Sequence, residues 1–226
     1  MAASPATIPV SISPAIILEA RDTQERISPL AVGSWALFDF ANTIWSLNII
    51  SVFFPAFIVK DLKLDDAWYA YPMSISLLIV ALISPFLGGL SDRRGAKRMP
   101  WLIATSMLCI FATTAMGLLP DLWMIIGVFI LANIGYQTSL IFYDALLPSV
   151  STTLNWGKIS GLGVGVGYAG ALAGGQLVNL IVGNGPSKDT FIPTAALFLI
   201  FALPCFLFVR ERATSRDSSV VDSPGM

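Results

Sequence analysis

The chain has 226 residues, 55% of them hydrophobic and 12% charged, with a net charge of -1 and a mean hydropathy of +0.76. A soluble domain of this size cannot hide so much apolar surface in one core, so lipid is the expected solvent, and near neutrality offers nothing to nucleic acid. Without histidine, and with Cys109 and Cys205 buried in apolar runs, the chain has no Cys-His metal site and little acid-base equipment, so no enzyme activity, cofactor or metal is expected.

Residues 1–32 read as a cytoplasmic tail carrying Pro5, Pro9 and Pro14 and the charged stretch LEARDTQER, without the basic start and long apolar core of a signal peptide. Six apolar runs follow, at 33–59, 67–90, 99–119, 122–147, 159–182 and 192–209. At about 1.5 Å per residue each approaches or exceeds the roughly 30 Å of a bilayer's hydrocarbon. None alternates strictly, which selects helices over a closed barrel. The predicted fold is an all-α membrane protein, a bundle of six transmembrane helices over 33–209, followed by a cytoplasmic tail at 210–226 that is expected to be disordered.

In the first run, Trp35, Asp39, Asn42 and Ser46 are spaced i, i+4, i+7, i+11 and share one helix face. A carboxylate at the middle of a spanning helix costs about 2.5–3.5 kcal/mol on insertion scales, so Asp39 is expected to face protein or a water-filled cavity. The GGLSDRRGAKRMP stretch between the second and third runs gathers Arg93, Arg94, Lys97 and Arg98 in a tight hairpin. In the fourth run, Asn133, Tyr136, Gln137, Tyr143 and Asp144 repeat the polar pattern. Two such stripes facing a common cavity would hold a small polar solute, with carboxylates able to bind a proton or a sodium ion. Asn and Gln also serve as glue between helices, and Asp144 lies near an interface.

The fifth run contains ISGLGVGVGYAGALAGG, in which Gly165 to Gly170 matches the letters of a dinucleotide fingerprint. That motif requires a strand, a turn and a helix in a soluble unit, none of which surrounds it. Gly163, Gly167, Gly170 and Gly174 instead share a helical face that allows close helix packing. Of the 13 Lys and Arg, only Lys60, Lys63 and Lys188 fall on the side opposite the 91–98 loop. The loop, both tails and the 148–158 connection are therefore expected in the cytoplasm.

GGLSDRRGAK resembles the cytoplasmic loop signature of the major facilitator superfamily, G-x-L-x-D-R-x-G-R-K, through Gly88, Leu90, Asp92, Arg93, Gly95 and Lys97, with Ala96 in place of a basic residue. Together with WALFDFANTIWSLNI, FYDALLP and the glycine-rich fifth run, it is similar to the branch that includes autophagy-related vacuolar amino-acid effluxers. The resemblance covers six spans, half of a twelve-helix transporter, and implies alternating-access transport of a small polar solute such as an amino acid. By that resemblance the first and fourth spans line the pathway, with Asp39, Asn42, Asn133, Gln137, Tyr143 and Asp144 as solute ligands. Gly88, Asp92, Arg93, Gly95 and Lys97 would form a gating loop. The second and fifth spans, and with them the glycine face, would meet another six-helix half, a second copy being favoured over a separately encoded half. The competing expectations are a non-transporting scaffold or regulatory subunit, or an inactive fragment. The expected location is the plasma membrane in a bacterium or an organelle membrane in a eukaryote.

Overall fold

The computed structural model describes residues 27–91, 97–152, 154–183 and 187–211. Nearly all of them are helical, in six helices long and apolar enough to cross a membrane: Pro29–Asp61, Ala67–Ser91, Met99–Leu118, Leu122–Ala145, Trp156–Val182 and Ser187–Phe208. The all-α bundle matches the fold expected from the apolar runs. Its first helix starts four residues into the expected N-terminal tail, because Pro29 supplies a preset φ at the first turn. Most of both tails, and Asp92, Arg93 and Gly95 of the hairpin, lie outside the described residues.

Local chemistry accounts for several helix boundaries. Asp121 caps the fourth helix by accepting a hydrogen bond from the Met124 amide at 3.1 Å. Gly183, at φ +67°, follows the end of the fifth. The first helix departs from α geometry: π-helical turns at Ser46–Phe53 and Phe57–Asp61 flank the short α turn Phe54–Ala56. The fourth ends at Ala145, and a separate turn of helix, Leu147–Val150, follows it.

Consecutive helices run up and down. At one end the Ser187 amide donates to Asp61 Oδ2 at 2.7 Å, and Lys188 Nζ donates to the Leu119 carbonyl, joining the ends of the first and third helices to the start of the sixth. At the other, the Glu211 carboxylate accepts from the Met99 amide, joining the sixth helix to the start of the third. The first helix packs on the fifth and sixth, the fourth on the second and third, and the third on the sixth.

Aromatic rings bridge the two groups: Trp35 stacks on Tyr143 at 4.6 Å, Trp45 on Tyr136 at 4.6 Å and Phe54 on Phe129 at 4.0 Å. Burial follows this arrangement, since half of the most apolar window of the first and fourth helices is buried but only 6% of that of the second. The first and fourth helices are thus central, and the second is peripheral.

Candidate functional site

Along the first helix, Trp35 is buried by its stack on Tyr143 and donates through Nε1 to the Tyr143 carbonyl at 3.4 Å. One turn on, Asp39 is half-buried. Its Oδ2 atom lies against Gly167 of the fifth helix, so closely that a Cβ there would sit 2.6 Å from Oδ2 and 3.0 Å from Thr43 Oγ1. The carboxylate is therefore lodged beside backbone that carries no side chain. Asn42 is buried, and its Oδ1 has no hydrogen-bond partner among the described residues. Such an atom in a dry site costs about 1–3 kcal/mol, so it is a natural place for a bound donor.

The fourth helix contributes Tyr143, whose buried hydroxyl also lacks a partner among the described residues. Asp144 beside it is exposed. Gln137 is half-buried, one residue from the Tyr136 ring that stacks on Trp45. Asn133 is placed differently from the rest. It is fully buried, and its Nδ2 donates to Ser76 Oγ at 2.6 Å and to Met73 Sδ at 3.4 Å, fastening the fourth helix to the second. The structure thus places Tyr143 on Trp35, one turn from Asp39, and turns the Asn133 amide toward a neighbouring helix.

The glycine face departs from the expectation that it meets a second half. Gly163, Gly167, Gly170 and Gly174 are buried against the first helix of the same bundle, facing in turn Trp35, Asp39, the Phe40 carbonyl and Ile44. The physical reason is backbone proximity: a Cβ at Gly170 would lie 2.6 Å from Phe40 O. What the fifth helix leaves uncovered is an apolar face, with Tyr168 at 70% and Leu172 at 81% exposure.

Of the hairpin residues, Gly88 is half-buried and Lys97 exposed, and Arg98 Nε reaches back to Ser91 O at 3.1 Å and Ser91 Oγ at 3.2 Å. Sequence reasoning missed Thr43, although it lies four residues from Asp39 on the same face. It also missed Asn48, a buried side chain whose Nδ2 donates to Gly174 O and to Thr194 Oγ1, both at 3.4 Å.

Residues 37–224 match the sequence profile of the Major Facilitator Superfamily. The chain belongs to this superfamily. Among its relatives, the Bacillus subtilis protein named MFS-type transporter YxiO is 26% identical over 200 residues, covering 79% of this chain and 46% of the relative. The multidrug resistance protein MdtG of Dickeya zeae is 32% identical over 152 residues, covering 65% of this chain and 35% of MdtG. An Aquifex aeolicus protein is 27% identical over 203 residues, 90% of this chain and 51% of its own length. The chain spans about half the length, or less, of the curated relatives it matches. With six spanning helices among its described residues it has the architecture of half a major facilitator fold, and it is a multi-pass integral membrane protein.

Proposed function

We propose that this chain forms one six-helix half of a secondary transporter that moves a small polar solute by alternating access, with both ends of the bundle's chain in the cytoplasm. The observation that carries the reading is a carboxylate inside a spanning helix, Asp39, set against Gly167 of the fifth helix, with the unpartnered oxygens of Asn42 less than one turn on and of Tyr143, which stacks on Trp35 one turn back. Carboxylates at this depth belong to solute or ion pathways far more often than to lipid-facing surfaces. Asp39 would hold a proton or sodium ion. Asn42, Gln137, Tyr143 and Asp144 would orient the solute, and Asn133 would steady the wall from behind. Gly88, Asp92, Arg93, Gly95 and Lys97 would act as the gating hairpin.

An amino acid is the solute class proposed, on the resemblance of WALFDFANTIWSLNI and FYDALLP to vacuolar effluxers alone, a branch that none of the relatives named above represents. Amphiphilic drugs are the competing class, supported by the name of the MdtG relatives and by the aromatic pair Trp35 and Tyr143 beside Asp39. A thermal-stability screen of the detergent-purified protein against both panels separates them. A ligand that binds only the folded state stabilises it by about 2.7 kcal/mol at a hundredfold excess over Kd. Stabilisation by amino acids that Asp39→Asn abolishes is the expected result. A response to amphiphilic cations alone reassigns the solute, and no solute flux in proteoliposomes leaves a scaffold.

A further inference from the structure

We propose that a groove between the start of the third helix and the end of the sixth binds an anionic phospholipid. The groove has a volume of about 610 Å³. Its floor is apolar, formed by Met99, Pro100, Ile103 and Ala104, which lie at i, i+1, i+4 and i+5 on one face of the third helix. Its rim is charged: Lys97 and Arg210 are both exposed, and Glu211 stands between the two helices.

The rim charges do not cancel. Glu211 accepts a hydrogen bond from the Met99 amide, the first of the third helix, and so is committed to capping that helix. Arg210 and Lys97 have no such engagement among the described residues, and they leave the rim net positive. Position along the bundle matters as much as charge. Met99 opens one spanning helix and Phe208 closes another, so the rim lies at headgroup depth, and the floor runs from there to Ile103 and Ala104 one turn deeper, where acyl chains begin.

A free anion would match the cations but has no use for the apolar floor. A zwitterionic lipid would match the floor but leave the net charge unanswered. A lipid with an anionic phosphodiester headgroup matches both. The groove shares no lining residue with the Asp39 region, which lies against the fifth helix, so its occupant is distinct from the transported solute.

Native mass spectrometry of the intact protein, titrated with phosphatidylglycerol, phosphatidylcholine or inorganic phosphate, tests this. Phosphatidylglycerol should be retained in preference to phosphatidylcholine, and its affinity should fall about fivefold for each of Lys97→Gln and Arg210→Gln. Lys97→Arg should retain it, and Ile103→Trp, which fills the floor, should lower retention of both lipids. Helical content by circular dichroism verifies that each variant is folded. Equal retention of the two lipids, equal retention of phosphatidylglycerol by the doubly neutralised variant, or displacement of it by inorganic phosphate would overturn the proposal.

Discussion

At Asp39 the carboxylate fits between two spanning helices because Gly167 opposite it has no side chain, so the acid faces protein and not lipid on that side. Asp39→Asn keeps the shape and removes the charge, so membrane insertion should be unchanged while gradient-driven accumulation in proteoliposomes is lost. Uphill transport by the Asn variant at the wild-type rate would refute a coupling role. Helical spacing put Asp39, Asn42 and Ser46 on one face and marked a polar patch near Tyr143; the structure places Asp39 against Gly167 and buries Asn42. Spacing on the fourth helix said nothing about which neighbour each residue meets. Asn133 and Gln137 lie four residues apart, yet Asn133 bonds to Ser76 on the second helix and is fully buried, whereas Gln137 stays half-buried. The sequence carries the period of a helix but not the direction from which another helix arrives.

The fifth helix illustrates the same limit at the scale of an element. Its glycine spacing identifies a packing face. The partner of that face is set by the bundle's threading, which delivers the first helix to it. Gly170 is the most constrained position, since a side chain there would meet the Phe40 carbonyl, which cannot rotate away. Gly170→Leu should destabilise the protein by about 1–3 kcal/mol or more, measured by thermal unfolding in detergent, whereas Val164→Leu on the exposed face should change little. Equal tolerance would mean that the two helices do not approach as described. In the first helix, periodicity is accurate up to Trp45 and fails beyond it. Each π turn takes an extra residue and so rotates the following side chains by about 100° relative to an α-helical count. Asn48, which a uniform helix would place opposite Asp39, therefore escaped a reading based on a 3.6-residue repeat.

For the molecule as a whole, six spans and their approximate limits were legible because hydrophobic length is a one-dimensional property. That the second and fifth helices leave open faces followed from the family resemblance and not from spacing, since exposure depends on the whole assembly. Tyr71, Leu78, Leu82 and Phe86 on the second helix, with Tyr168 and Leu172 on the fifth, form apolar surface that suits either lipid or another six-helix unit. We expect the functional particle to contain two such units, and mass measurement in nanodiscs should return twelve spanning helices in total. Leu172→Arg should split that particle and leave each unit helical. A six-helix particle fully competent in transport would rule this out. The buried Asn48 also has a consequence for biosynthesis. Its partner Thr194 lies 146 residues downstream. At about 5–20 residues per second of synthesis, the Asn48 amide waits roughly 7–30 s for that bond. During this interval the first helix must be sheltered by the insertion machinery or by a transient neighbour, so the step most sensitive to slowed translation is the arrival of the fifth and sixth helices.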